Sequence, residues 1–135
     1  MITTADPVIA AEGGPITPGS TDTNGISTST FAVDYTITLR AGETITVTMI
    51  ALDDTLDPSL VILDEFGNEM AYNDDAEVQV GESSYNAQIV GFAPQTDGTY
   101  TIRATRFFEE GGSSLGRFEL TVSAGIPEDT DGGTK

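Results

Sequence analysis

Apolar and polar residues alternate along most of the chain, and this pattern limits the fold more than any other feature. Strict alternation places successive side chains on opposite faces of an extended strand, so such runs predict half-buried β-strands. The strand-like runs are VDYTITL, TITVTM, SLVIL, EMAYN, YNAQIVGF, TYTIRATRF and RFELTVS, within residues 33–123. The turn RAGE between the first two runs and the turn DEFGN between the third and fourth predict two β-hairpins.

No part of the chain shows the apolar spacing of an amphipathic helix. About seven short strands without helices predict an antiparallel β-sandwich, and the pattern leaves Greek-key and jelly-roll connections equally open. The 135 residues fit a single domain. Residues 1–25, rich in Thr, Gly and Pro, are predicted to form an N-terminal extension, residues 26–123 the sandwich and residues 124–135 an acidic tail. The short pieces PVIA and ISTSTF could still add edge strands.

The charge balance excludes two classes of partner. The chain has 22 acidic and 5 basic residues, which give a net charge of -17 at pH 7. A phosphate backbone would be repelled, because nucleic-acid affinity depends mainly on Lys and Arg. Anionic membrane surfaces are disfavoured for the same reason, and no apolar run approaches the roughly 20 residues of a spanning helix. We expect neither nucleic-acid binding nor membrane insertion.

Cysteine and histidine are both absent. Their absence removes Ser-His and Cys-His nucleophile pairs and the usual zinc sites. Paired carboxylates can hydrolyse glycosides, but the acidic residues here lie at a predicted sheet edge without an aromatic cleft, and Trp is absent. The sequence therefore predicts that the chain is not an enzyme.

Acidic doublets bracket one predicted hairpin, within LDDTLDPSLVILDEFGNEMAYNDDA. If Leu63 faces Glu69 across the turn, the same register places Asp57 opposite Asp75 and beside Asp74. Like charges that face each other on neighbouring strands are destabilising. This sheet edge therefore needs a source of positive charge.

Asp53 and Asp54 reach the same edge from the preceding turn, so five carboxylates converge there. Calcium binds six to eight oxygen ligands and would remove the repulsion. Magnesium fits less well, because it keeps its waters and a strict octahedron. The alternative is that these aspartates cap turns by accepting hydrogen bonds from nearby backbone N–H groups.

Five motifs, in order, resemble the bacterial pre-peptidase C-terminal domain family, which includes the collagen-binding domains of clostridial collagenases. They are DYTITLRAGETITVTM, DPSLVILDEFGNEMAYNDD, NAQI, DGTYTIRAT and GRFELTVS, over about residues 26–123. The resemblance implies a jelly-roll-like β-sandwich of about seven to nine short strands without catalytic activity. It also implies bound calcium and a location outside the cell or on its surface. The alternating Glu and Asn linker of the collagen-binding members is not present here.

Carried over by position, the resemblance implies a set of calcium ligands at the acidic edge. The principal carboxylates are Asp57, Asp74 and Asp75, with Asp53 and Asp54 as additional ligands or supports and Asn86 as a carbonyl donor or loop support. Calcium would then join the 52–59 turn to the 73–77 turn.

A second candidate site lies in TRFFEEGGSSLG, where Arg106, Phe107 and Phe108 adjoin a Gly/Ser loop. Aromatic and cationic side chains together suit contact with a glycan or a protein. The alternative is an edge strand with one aromatic residue packed under the loop.

Together these features predict an extracellular, non-catalytic, calcium-binding β-sandwich that self-associates as a cell-surface or filament subunit. Segments such as DPVIAA or ISTSTF would pair with an open sheet edge of a neighbouring subunit. The alternative function is an accessory glycan- or protein-binding module, for adhesion, within a secreted protein.

Overall fold

The computed structural model describes residues 9–53, 55–73, 86–107 and 114–126. Within these ranges the chain forms nine strands, and the predicted all-β class is confirmed. The strands are β1 (Ile9–Pro15), β2 (Ser20–Ile26), β3 (Thr30–Leu39), β4 (Ile45–Ala51), β5 (Pro58–Leu63), β6 (Glu69–Asn73), β7 (Ala87–Phe92), β8 (Gly98–Arg106) and β9 (Gly116–Ala124). The described residues include no helix long and apolar enough to cross a membrane.

The nine strands divide into two sheets. Sheet A has the order β1-β3-β8-β5-β6, and sheet B has the order β2-β9-β4-β7. Strand β1 pairs with β3 in parallel, whereas the other pairings are antiparallel. Sheet A is therefore mixed, which differs from the wholly antiparallel arrangement predicted from the sequence.

The core lies between the two sheets and follows the alternation in the sequence. On β3 the side chains of Val33, Tyr35, Ile37 and Leu39 are buried, while the threonines between the last three are exposed. Sheet B supplies the opposite wall of the core with Val47, Met49, Phe118, Leu120 and Val122. Apolar side chains on one face of each sheet thus account for the stacking of the two layers.

The predicted hairpin of β3 and β4 is wrong. The turn between them, residues 40–44, carries the chain from sheet A to sheet B. It is fixed by the Glu43 carboxylate, which accepts the N–H of Arg40 at 2.9 Å, and by the N–H of Gly42, which donates to the carbonyl of Pro94 at 2.8 Å. Alternation shows which face of a strand is buried but not which strand lies beside it. Strands β3 and β4 therefore both show the alternating pattern although they belong to different sheets.

Part of the predicted N-terminal extension belongs to the sandwich. Residues 9–15 form one edge strand of sheet A, and residues 20–26 form one edge strand of sheet B. Ile16, between these strands, and Ile26 are both buried. The predicted boundary at residue 26 therefore falls too late, because β1 is held by backbone pairing although its sequence, IAAEGGP, lacks alternation.

Tyr35 joins the two sheets near β1 and β2. Its ring packs against Gly13, where a Cβ atom would lie 2.6 Å from the ring. Its hydroxyl donates a 2.7 Å hydrogen bond to a carboxylate oxygen of Asp22, on the other sheet. Burial, reinforced by the bond to Asp22, raises the pKa of Tyr35 above its ordinary value. The phenol therefore stays protonated and keeps the contact.

The predicted hairpin of β5 and β6 is confirmed, including the pairing of Leu63 with Glu69. The register then shifts, so that Ile62 faces Ala71. Met70 is the extra residue of this β-bulge. Bulges commonly change the direction of a side chain at the end of a hairpin.

Candidate functional site

The described calcium candidates lie near the sandwich end where β4 finishes and β5 and β9 begin. We call residues 52, 53, 55–57 and 114–117 the acidic rim. Backbone bonds join its two segments: the N–H of Leu52 donates to the carbonyl of Arg117 at 2.8 Å, and the N–H of Leu115 donates to the carbonyl of Thr55 at 3.2 Å. The Thr55 hydroxyl donates a 2.7 Å hydrogen bond to the carbonyl of Leu115. The turn before β5 is therefore fixed to the segment that begins β9.

Asp53 is paired with Arg117. One carboxylate oxygen accepts from Nη2 at 2.9 Å, and the other accepts from Nε at 3.2 Å and from the backbone N–H at 2.8 Å. These bonds from Arg117 lower the pKa of Asp53, and the carboxylate in turn raises the pKa of Arg117. These bonds engage both carboxylate oxygens of Asp53, and its predicted metal role stays a prediction.

Gly116 allows Asp53 to come this close to β9. A Cβ atom on Gly116 would lie 2.9 Å from the Cβ atom of Asp53 and 3.1 Å from that of Leu56. Its φ of 149° is also one that L side chains rarely adopt. The approach of the turn to β9 thus depends on a glycine at this position.

Asp57 and Asn86 are the other described calcium candidates. Asp57 is half-buried; its N–H donates to the Ser114 hydroxyl at 3.0 Å, and its carbonyl accepts the N–H of Phe107 at 3.0 Å. Asn86 is buried, and its side-chain oxygen accepts the N–H of Ala51 at 2.9 Å. Asn86 therefore supports the end of β4.

The remaining metal candidates, Asp54, Asp74 and Asp75, lie outside the described residues, as does Phe108. Among the residues that the structure describes, no three acidic side chains come together as a metal site. The described residues alone do not supply a calcium ligand set, so the calcium itself stays a prediction. The register from which Asp57 was placed opposite Asp75 holds at Leu63 and Glu69 but shifts by one residue at the bulge, so that Leu60 faces Asn73.

Arg106 lies within the fold, not on the exposed contact surface predicted for it. It is only 4% exposed, and its Nη1 donates a 3.4 Å bond to the carbonyl of Ser114. Alternation along β8 explains this position, since Ile102 and Ala104 are buried on the same face. Phe107, the next residue, is exposed.

Arginine side chains thus supply positive charge beside the acidic rim. Two of the four arginines in the chain, Arg106 and Arg117, contact residues 114 and 53 there. Part of the repulsion expected from the sequence is therefore offset within the chain. Sequence reasoning missed this because both arginines are distant from the acidic doublets along the chain.

The β5–β6 turn and strand β6 carry exposed apolar side chains. Phe66 is 79% exposed, Met70 44% and Tyr72 46%. We call these three residues the apolar hairpin surface. The sequence carried a signal that its analysis did not use, namely a phenylalanine within the polar turn DEFGN. Exposed apolar side chains grouped on one element are typical of interaction sites.

A comparison with protein families identifies the chain. A sequence model of the bacterial pre-peptidase C-terminal domain matches residues 32–106, and the chain belongs to this family. The match confirms the resemblance seen in the motifs between residues 26 and 123. No curated protein matches the chain.

Several solved structures are similar to this one. The pre-peptidase C-terminal domain of a Bacillus anthracis collagenase has a TM-score of 0.60 and 15% identity, with 90% of this chain and 100% of that chain covered. PliG from Aeromonas hydrophila, a periplasmic inhibitor of g-type lysozyme, has a TM-score of 0.58 and 15% identity, with 89% and 99% covered. CorA from Methylomicrobium album BG8, a surface-associated copper-binding protein, has a TM-score of 0.57 and 10% identity, with 88% and 100% covered. At these identities the likeness establishes the fold.

Proposed function

We propose that the chain is a non-catalytic protein-binding module that acts outside the cytoplasm, with the apolar hairpin surface as its contact surface. The observation that carries this proposal is the exposure of Phe66, Met70 and Tyr72 on a single hairpin at the edge of sheet A. Tyrosine, phenylalanine and methionine are enriched in protein interfaces relative to the rest of the surface.

The geometry of β6 supports the same role. This strand ends sheet A in the described part of the chain, where it pairs with β5 on one side. An edge strand can add a strand from a partner through backbone hydrogen bonds, while its side chains give specificity. Tyr72 lies on this edge and is half exposed.

Composition and the comparisons support a binding role over catalysis. Histidine and cysteine are absent from the sequence, and the family is one of accessory domains. The similar structures include one described as periplasmic and one described as surface-associated. These descriptions favour an extracytoplasmic location for this chain as well.

Calcium at the acidic rim is part of the proposal, as a stabilising ion. Asp57 is half-buried there, and Asp54, Asp74 and Asp75 adjoin the same strands along the sequence. Hard carboxylate oxygens in such numbers suit calcium. The ion would stiffen the end of the sandwich opposite the β5–β6 turn.

Self-association through the N-terminal segment is the second candidate function. Both β1 and β2 already pair within the chain, so donation to a neighbour requires one of them to leave its own sheet. Strand β1 is the better candidate, because its pairing with β3 is parallel and irregular at two places. We expect light scattering coupled to size exclusion, with electron microscopy of the full chain, to show oligomers if exchange occurs. Monomers at all concentrations would reject it.

The binding proposal is tested with the full chain on immobilised collagen, other matrix proteins and glycans. We expect retention on a protein surface that is lost in the double variant Phe66→Ser/Tyr72→Ser. The matched control is Val90→Ser, which removes a side chain that is 50% exposed on β7. Absence of retention on every surface, or equal loss in the Val90 variant, would contradict the assigned contact surface.

A further inference from the structure

A pocket lies beside the apolar hairpin surface, at the end of the sandwich opposite the acidic rim. It has a volume of about 180 Å³ and is bounded by the β5–β6 turn and by residues 95–100. Pockets that bind small molecules usually measure about 300–1,000 Å³. The volume here therefore suits one side chain of a partner rather than a cofactor.

The apolar wall of the pocket is formed by Phe66, Met70 and Tyr100. Phe66 sits in a turn held by Asp64, whose carboxylate oxygen accepts the N–H of Phe66 at 2.9 Å and that of Asn68 at 2.8 Å. The Phe66 ring is exposed, but its backbone is fixed. A fixed backbone lowers the ordering cost of binding.

Local structure also positions the other two apolar residues. Met70 is the extra residue of the bulge in β6, and it lines the pocket. Tyr100 is buried at the pocket floor, where its hydroxyl donates to the carbonyl of Thr96 at 2.7 Å and its ring meets that of Phe92 edge to face at 6.0 Å. The floor is thus anchored to the core.

The charged part of the lining is negative. Asp64, Glu65 and Asp97 line the pocket, and the described lining contains no lysine or arginine. The hydrogen bond from the backbone N–H of Asn68 lowers the pKa of Asp64. The side chain of Asn68 and the backbone N–H groups of Phe66 and Gly67 contribute less in the same direction. The pocket mouth is therefore anionic at neutral pH.

We propose that this pocket binds a lysine or arginine side chain presented by a protein partner. The aliphatic stem of such a side chain packs on Phe66 and Met70, and its cationic head reaches the carboxylates and an aromatic ring. A second copy of this chain is disfavoured as the partner, since both copies carry a net charge of -17 and repel each other. The inference rests on the proposed protein-binding function and specifies the chemistry of the partner.

The test is a nuclear magnetic resonance titration of the full chain with acetyl-Gly-Lys-Gly-amide and acetyl-Gly-Arg-Gly-amide. The controls are Gly-Gly-Gly-amide, which has the same charge without a long stem, and acetyl-Gly-norleucine-Gly-amide, which has a stem without charge. We expect shifts at residues 65, 66, 70 and 97 with the basic peptides, and weaker effects with both controls. Shifts spread evenly over the acidic surface would overturn the proposal.

Variants make the test specific to the pocket. Phe66→Ala is expected to lower the affinity for the basic peptides about two- to fivefold, which is the range of an exposed cation–π contact. Glu65→Gln should weaken them as well, whereas Phe107→Ala, at the other end of the molecule, should not. Unchanged affinity in both pocket variants would refute the assignment.

The outcome separates this inference from the proposed function. If the chain is retained on a protein surface but the basic peptides do not select the pocket, only the inference fails. If the peptides bind the pocket while no protein surface retains the chain, the assigned binding function fails and the cation site stands.

Discussion

Tyr35 shows how one residue connects the two sheets and sets a pH limit on stability. Replacing it with phenylalanine keeps the ring against Gly13 and removes the 2.7 Å bond to Asp22. Because a hydrogen bond to a charged acceptor contributes about 1.5–3 kcal/mol, we expect Tyr35→Phe to lower the free energy of unfolding near neutral pH by about that amount. Denaturant unfolding of both chains measures it.

The same substitution should change the response to alkali. The folded chain holds the Tyr35 proton more tightly than the unfolded chain, whose pKa is near 10.0. The resulting stability is present below that value and is lost as the unfolded phenol ionises at higher pH. Between about pH 9 and about pH 11, the parent chain should therefore lose more stability than Tyr35→Phe. Tyr72→Phe, on an exposed residue, is the control, and parallel losses in all three chains would contradict the assignment.

Single residues also show where sequence reasoning reaches its limit at the site. Alternation along β8 could have placed Arg106 in the interior, since it shares a face with Ile102 and Ala104. The pairing of Asp53 with Arg117 had no comparable signal, because the two residues are 64 positions apart and meet only through the folding of β9 beside β4. Positions of charged partners depend on topology, which local patterns do not specify.

At the scale of elements, β1 depends on the absence of a side chain at Gly13. A Cβ atom there would lie 2.6 Å from the ring of Tyr35, which is too close without a shift of the ring or the strand. Overpacking of this kind usually costs about 1–3 kcal/mol. We therefore expect Gly13→Ala to lower the unfolding midpoint and to speed amide exchange in β1.

Gly25→Ala is the matched control for this prediction. Gly25 also lies in an edge strand, β2, but a Cβ atom there would be 3.5 Å from its nearest neighbour, an ordinary contact. The control should leave the free energy of unfolding within about 1 kcal/mol of that of the parent chain. Equal effects of the two substitutions would show that β1 is not fixed by the packing of Tyr35 on Gly13.

The elements differ in how well the sequence predicts them. Strands from β3 to β9 follow apolar runs that the alternation identifies, and the β5–β6 hairpin follows from its turn. Strands β1 and β2 lack such runs, because they lie at sheet edges and contribute few side chains to the core. They are held by backbone pairing with β3 and β9. The alternation therefore did not reveal these two strands within the predicted extension.

Over the whole molecule, the two ends of the sandwich combine acidic residues with different partners. At one end Arg106 and Arg117 lie beside the acidic rim, and at the other Asp64, Glu65 and Asp97 surround an aromatic pocket. Arginines offset the acidic charge at the first end, whereas no lysine or arginine lines the described pocket at the second. A net charge of -17 also destabilises the compact state by self-repulsion, so added salt should stabilise the chain even without a specific ion.

That general effect must be separated from calcium binding, so thermal unfolding is compared in EDTA and in millimolar calcium at equal ionic strength. Calcium at about 100 times its dissociation constant adds about 2.7 kcal/mol to the free energy of unfolding. This raises the midpoint of thermal unfolding by several degrees. We expect Asp57→Asn to abolish this rise. Asp53→Asn should instead lower the midpoint in both buffers and keep the rise, because its carboxylate bonds Arg117. Loss of the rise in both variants would mean that calcium binding also needs the Asp53 carboxylate, and no rise in the parent chain would reject calcium.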